Sequence, residues 1–540
     1  MTVCVCVFSV WWIQRQREFE REEMASATRT TSACIRRVVT VSACVRRCIG
    51  YQTGSGSGFH HRSYSHVHRY HRYERGSENA HSNQSTSSSS SSSSCRDNED
   101  VARVVLKEGK ARALRASSHP LVYAKSVARI TRGEFSASVV HAGEPVIVTD
   151  GEDKPIGWGV FNGTASMYAV RILESGSTAV DIVSRIRNVD ELRARVVSII
   201  KDRIQYASEL RKHSIMPSIR ESNAFRVINA EGDGLSGITA DVYDGIIVVM
   251  CSAAWIEAYR TTCIDAILAS VQGAMSVEWR RSSQFLELEQ PTTSSGMSEK
   301  EEVEQEADEK ENTTDVWVSE NGIEYLVSPS SGQKTGHYCD QRENRATVRS
   351  LARGGKTVLD LCCYTGGFSL AAAVGGASRV VGVDSSETAL ERARVNAQRN
   401  GVESTCTFVK QDITEFMRKA IDGGKAASYD IVILDPPKLA PGRRHMEKAL
   451  RKYKRLNELA MRMCKGDGGL LLSFSCSGVV AADHLLPGIL REAAVRTETR
   501  LHVMQVLGAG PDHPYSVSYP EGNYLSGILA AVRRASTPCT

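Results

Sequence analysis

The residues with the most chemistry to offer lie between positions 356 and 478. Lys356-Thr-Val-Leu-Asp-Leu-Cys-Cys-Tyr-Thr-Gly-Gly-Phe-Ser-Leu370 opens with an apolar run, Val358, Leu359 and Leu361, readable as a buried parallel strand. Gly366 and Gly367 then turn the chain into an Ala-rich helix predicted over residues 368 to 374. A strand, a glycine turn and a helix N-terminus let backbone approach a ligand closely. Arg379-Val-Val-Gly-Val-Asp384 is a second apolar strand ending in an acid. A carboxylate roughly 20 residues beyond the turn suits the two ribose hydroxyls of a nucleoside cofactor. Phe408-Val-Lys-Gln-Asp412 and Tyr429-Asp-Ile-Val-Ile-Leu-Asp-Pro-Pro-Lys438 repeat the strand-then-acid pattern. The turn lacks the third glycine of G-x-G-x-x-G, which argues against a dinucleotide and its pyrophosphate. Cys476 follows another apolar run, residues 469 to 474. A thiol there is either a small buried hydrophobe or a nucleophile at a cleft, and the local sequence leaves both open.

The elements that must position these groups form an α/β, Rossmann-like unit. Acids at 384, 412 and 435 recur at the spacing of successive βα units, and a helix over 387 to 400 is stopped by Gly401. In such sheets a cofactor sits outside the carboxyl ends of the strands. Asp412 is open to two roles, recognition of an adenine ring or a helix cap. Cys362 and Cys363 read as packing residues beside the turn.

Asp360, Tyr364-Thr-Gly-Gly-Phe368, Asp384 and Asp435-Pro-Pro-Lys438 together resemble a class I S-adenosylmethionine-dependent methyltransferase. Three more stretches narrow the resemblance: Gly332-Gln-Lys-Thr-Gly-His-Tyr-Cys-Asp-Gln-Arg342, Leu472-Ser-Phe-Ser-Cys-Ser-Gly478, and Asp512-His-Pro with Tyr519-Pro-Glu-Gly-Asn-Tyr-Leu525. Over residues 103 to 532 the chain is similar to the bacterial large-subunit ribosomal RNA cytosine-C5 methyltransferases, the methyltransferase I type with a PUA domain. The resemblance implies S-adenosylmethionine contacts at Asp360, Tyr364, Thr365, Gly366, Gly367, Phe368, Asp384, Ser385, Asp412, Asp435 and Pro436. It implies that the Cys476 thiolate adds to carbon 6 of cytosine, making carbon 5 nucleophilic, while Asp435 supports the charge at the N3 and N4 edge. RNA contacts are expected at Lys334, Arg342, Lys438, Arg443, Arg444 and Lys452, with further basic residues along the helix after the Asp-Pro-Pro motif. The base that removes the C5 proton is not identifiable.

The 540 residues hold 67 basic and 62 acidic side chains, a net +5, but the charge is segregated. Residues 1 to 100 read as a disordered extension. From Met24 to Tyr73 there is no Asp or Glu, and Arg, Ser, Thr and His are frequent. Such a start resembles an organellar transit peptide, chloroplast or mitochondrial, with a cytoplasmic protein as the alternative. Residues 102 to 175 show short β-runs with glycine turns and a basic helix over 109 to 116, as in a small RNA-binding β-barrel. By resemblance this is the PUA domain, with His119-Pro-Leu-Val-Tyr123 as its signature and Leu121 where the family usually has Trp. Residues 180 to 213 read as one connecting helix. Residues 222 to 345 form a small α+β middle domain in which glycines around Glu231 and Asp233 assign those acids to a turn. Residues 290 to 315 read as a disordered acidic insertion. The methyltransferase domain covers 346 to 535. Fifteen cysteines without a paired C-x-x-C point to free thiols in a reducing compartment and no structural metal.

No segment has transmembrane length, so no membrane partner is expected. A homodimer is implied only by the family. Two other functions stay open: a guanine or exocyclic-amine methyltransferase that needs no nucleophile, and a non-catalytic RNA-binding ribosome-assembly factor. Asp-Pro-Pro followed by an aromatic would favour amine chemistry, but Lys438 follows here.

Overall fold

Three sheets and one hairpin organise the chain in this computed structural model, which describes residues 100 to 534 apart from 134, 137–138, 164–165, 187, 215–221, 283–314, 330–335 and 440–444. The N-terminal extension and the acidic insertion therefore fall outside the described residues, except positions 100 and 315.

The first sheet contains β1 (Ala102–Leu106), β2 (Leu121–Tyr123), β3 (Val127–Arg132), β4 (Phe135–Ser136), β5 (Pro145–Thr149), β6 (Pro155–Phe161) and β7 (Tyr168–Ser175), in the order β2-β7-β6-β5-β1-β3-β4. The basic helix α1 (Lys110–Ser117) follows β1. Leu121, where a stacking Trp is usual in the family, is buried in this sheet's interior, whereas Tyr123 is exposed.

The connecting segment is two helices rather than one: α2 (Gly176–Arg185) and α3 (Val189–Glu209). The side chain of Asn188 accepts from the Glu191 amide and starts α3 afresh, with Asp190 and Glu191 in its first turn. This cap and the acids at the positive helix end outweigh continuation through Ile186. Leu192, Val196, Ile199, Ile200 and Ile204 form the buried stripe of α3. They share one apolar core with Trp158 and Val160 of the first sheet and with Val227, Ile228 and Val249 of the second.

That second sheet, ordered β11-β10-β9-β8, is built from β8 (Ala224–Asn229), β9 (Ile238–Tyr243), β10 (Ile246–Cys251) and β11 (Ser276–Arg281), with α4 (Arg260–Ser270) between the last two. The hairpin β12 (Val316–Glu320) and β13 (Ile323–Val327) leads through α5 (Arg342–Leu351) to the third sheet.

The third sheet has the order β16-β15-β14-β17-β18-β20-β19. Its strands are β14 (Thr357–Leu361), β15 (Arg379–Asp384), β16 (Cys406–Lys410), β17 (Ile431–Leu434), β18 (Asp467–Ser475), β19 (Thr499–Leu507) and β20 (Ser526–Arg534). The five strands from β16 to β18 are parallel, and β20 is antiparallel to both neighbours. The central runs are buried throughout, as parallel strands covered on both faces must be. Helices α6 (Gly367–Val374), α7 (Glu387–Arg399), α8 (Ile413–Asp422), α9 (Met446–Met463) and α10 (Leu486–Arg496) make the crossovers. Among the described residues no helix is long and apolar enough to cross a membrane.

Candidate active site

The carboxyl ends of β16, β15, β14, β17 and β18 bring the sequence-predicted acids and the cysteine to one rim. Asp360 lies inside β14 and is fully buried. Ser369 of α6 donates to its Oδ2 at 2.7 Å, while its Oδ1 has no hydrogen-bond partner. Burial pushes the carboxyl up to about 7 against the opposing Ser369 bond, and the nearby charges of Asp435 and Asp384 push the same way.

The turn after β14 holds backbone in the left-handed region at Cys362, Tyr364 and Gly366. Gly366 begins α6 at φ +86°, and a Cβ there would also crowd Ala393 and Phe408 at 3.3 Å. The turn is tied to β15, because Asp384 accepts from the Tyr364 amide at 3.0 Å and from the Ser386 amide at 2.9 Å. Each of its oxygens keeps a further lone pair for a ligand. Thr365 is buried and its carbonyl accepts from Asn396. Ser385 is exposed at the strand end. Asp412 caps α8, with Oδ1 accepting from the Thr414 and Glu415 amides. Phe368 is a core residue, stacked on Phe474 with ring centroids 5.6 Å apart, so only its backbone faces the turn. Burial pushes the Cys362 and Cys363 thiols up, as expected of packing residues.

Asp435 and Cys476 leave the ends of the neighbouring parallel strands β17 and β18. Cys476 is half-buried and its thiol points at the Pro436 carbonyl, 3.9 Å away. Gln341 Nε2 donates to Asp435 Oδ2 at 2.9 Å, and Asn344 Nδ2 in turn donates to Gln341 Oε1 at 2.6 Å. The Tyr338 phenol is pushed up by burial first, then by the charges of Tyr364, Asp340, Asp435 and Cys476. Its ring meets that of Tyr364 edge-on at 5.4 Å. In the sequence Tyr338 and Gln341 stand out only as members of the Gly332–Arg342 stretch, without a role of their own, and Asn344 does not stand out at all. The spacing of Gln341 and Asn344, three apart at the start of a helix, was the available signal.

Arg342 is not an RNA contact. It is fully buried and clamps Asp512 with both terminal nitrogens, at 2.9 and 3.0 Å. Lys438 and Lys452 are exposed, as RNA contacts require. Arg451, Lys454 and Arg455 of the same basic stretch instead pair with Glu447, Glu492 and Glu458. Lys334, Arg443 and Arg444 lie outside the described residues. Glu231 and Asp233 are spent on Ser236 and Arg211, in keeping with a turn. The first sheet reaches the end of the chain, where His119 meets Tyr519 edge-on at 5.4 Å.

The donor set fits S-adenosylmethionine. A buried carboxylate oxygen without a partner is the complement of a cationic amino-acid end, and Asp384 retains acceptor capacity for ribose. Family models agree: an S-adenosylmethionine-dependent methyltransferase matches residues 297–522 and a PUA-like domain matches 104–175. SMU.776, a methyltransferase complexed with SAH, superimposes with a TM-score of 0.60 at 17% identity, covering 79% of this chain and 99% of that one. This likeness shows the fold. The ribosomal RNA large subunit methyltransferase I of Shewanella denitrificans is 32% identical over 433 residues, covering 80% of this chain and 99% of that protein. That of Escherichia coli K12 is 31% identical over 436 residues, with the same coverage. At 31 to 32% identity along almost the whole of these relatives, the chain belongs to the ribosomal RNA large subunit methyltransferase I family.

Proposed function

We propose that this protein methylates carbon 5 of a cytidine in large-subunit ribosomal RNA, with Cys476 as the nucleophile. One observation supports the chemistry above all: the Cys476 thiol stands against Pro436 beside Asp435, at the carboxyl ends of adjoining strands. S-adenosylmethionine supplies the electrophilic methyl group. The Cys476 sulfur forms a bond to carbon 6, and the electron pair of the 5,6 double bond becomes available at carbon 5. After methyl transfer, loss of the C5 proton restores the double bond and expels the thiolate. Asp435, oriented by Gln341, meets the N3 and N4 edge where charge and proton shift. Tyr338 and Tyr364 wall the cleft against water. The target base must leave its stack to reach the thiol, and Lys438 and Lys452 suit the flanking phosphates.

Bisulfite sequencing of organellar and cytosolic ribosomal RNA, with the gene intact and disrupted, tests this directly. One protected cytosine in the large-subunit RNA should be lost on disruption. If every protected site survives, the cytosine assignment falls and nucleoside mass analysis would look for a lost methylguanosine. We also assign residues 1 to 100 to organelle targeting, on their acid-poor, Arg- and Ser-rich composition. Fusing them to a fluorescent protein should deliver it to a chloroplast or mitochondrion, and a cytosolic signal would refute the assignment.

A further inference from the structure

We propose that Tyr453 is a positioning residue: its buried hydroxyl fixes the nucleophile segment Ser475–Ser477 against helix α9. The inference rests on Cys476 acting as the nucleophile. Helix α9 packs on β18 through an apolar layer that includes Leu456, Leu459 and Leu471. Apolar contacts are non-directional and leave a strand end free to shift by fractions of an ångström. Two polar pins interrupt this layer. Asn457 Oδ1 accepts from Ser473 Oγ at 2.8 Å, and one helical turn earlier Tyr453 Oη accepts from Ser475 Oγ at 3.0 Å. Positions 473 and 475 share a face of β18, as 453 and 457 share a face of α9. The pins are themselves joined, since Asn457 Nδ2 donates to the Tyr453 carbonyl.

The pin nearer the cleft does more than set register. Ser475 Oγ also accepts from the Ser477 amide at 3.3 Å, so one hydroxyl closes the backbone around Cys476. Tyr453 and Ser475 are both fully buried, so water cannot replace the bond between them. Tyr453 thus ties the backbone on both sides of Cys476 to α9, and with it the place of the thiol relative to the base.

Removing only that oxygen is the test. Tyr453→Phe and Ser475→Ala are compared with wild type in steady-state methylation of the ribosomal RNA substrate. They are also compared in covalent capture by RNA carrying 5-fluorocytidine, whose C5–F bond blocks release of the thiolate. In each variant kcat should fall about 10- to 100-fold, the scale of an ångström-sized misplacement, with capture slowed equally. KM for S-adenosylmethionine should stay within about threefold, and the double variant should be no slower than the worse single one, because both break one bridge. Wild-type kcat in both single variants would overturn the proposal, as would a rate loss matched by an equal loss of cofactor affinity. Cys476→Ala separates the two levels. If it is inactive while Tyr453→Phe turns over normally, the positioning role alone fails; if Cys476→Ala methylates normally, the thiolate reading fails first.

Discussion

Asp360 is the residue at which burial and function pull against each other. Its carboxyl is pushed up to about 7, well above the usual carboxylate value near about 4, by desolvation and the neighbouring acids. In the cofactor-free protein the folded state therefore holds a proton that the unfolded chain has already released. This group's contribution to stability falls as pH rises from about 4 to about 7. A cationic ligand end reverses the preference, because it needs the ionised form at the unpartnered Oδ1. S-adenosylmethionine binding measured by calorimetry should strengthen up to about tenfold between about pH 6 and about pH 8. Asp360→Asn should weaken binding and flatten the profile; an unchanged slope in that variant would assign the pH dependence elsewhere. Cys476 answers to a separate measurement. If Cys476 is the proposed nucleophile, Cys476→Ala should reduce methyl transfer by at least about a thousandfold while leaving cofactor binding within about twofold, because the thiol lies at the end of β18 and not in the turn after β14.

At the scale of elements, Asp412 shows how one side chain can carry two roles. Its Oδ1 caps α8, and its position at the end of the third parallel strand suits adenine recognition. Asp412→Ala removes both and should cost about 1 kcal/mol of stability from the lost cap. Asp412→Ser retains a capping oxygen, so its melting temperature should stay near wild type while S-adenosylmethionine affinity falls. If the serine variant binds normally, Asp412 is a cap and nothing more. The parallel strands and their acids were legible because periodicity and strand-end position are local properties: the predicted helix over 387 to 400 is α7, Glu387–Arg399. The connecting segment was misread as one helix because its apolar stripe continues on both sides of a break that a single Asn188 cap imposes. Arg342 was misread for a different reason. A basic residue beside a cleft looks like a phosphate ligand until its partner is known, and Asp512 lies 170 residues away in sequence. Tyr453 and Asn344 were invisible for the same reason, since hydroxyls and amides in helices acquire a role only through what the fold sets opposite them.

At the scale of the whole molecule, the described domains are joined by burial and charge where they meet. The first sheet, α3 and the second sheet share one apolar core, and the second sheet shares another with the hairpin and with α6 and α7 of the catalytic domain. Gly232, in the turn of the middle domain, is in such close contact with the catalytic end of the chain that a Cβ would lie 1.9 Å from the Pro514 carbonyl oxygen. Beside it, Asp512 accepts from Arg342 Nη1, from His513 and from the Arg226 amide, and lies in ion-pair contact with Arg342 Nη2, while its own carbonyl accepts from Arg211. Burial alone would raise this carboxyl, but His513 and Arg342 prevail and hold it far below the usual range. A depressed carboxyl stabilises the fold above its unfolded value, and the contribution is lost as pH falls below about 4. Asp512→Ala leaves the buried Arg342 guanidinium without its carboxylate and should destabilise the protein by about 3 to 5 kcal/mol, measured by denaturant unfolding at neutral pH. The difference between variant and wild type should shrink as the pH is lowered through about 4 and below, because the unfolded wild-type chain then takes up a proton that folded Asp512 still refuses. A deficit that stays constant across that range would mean Asp512 acts by packing alone, and the junction would then be held by its apolar cores rather than by the buried ion cluster.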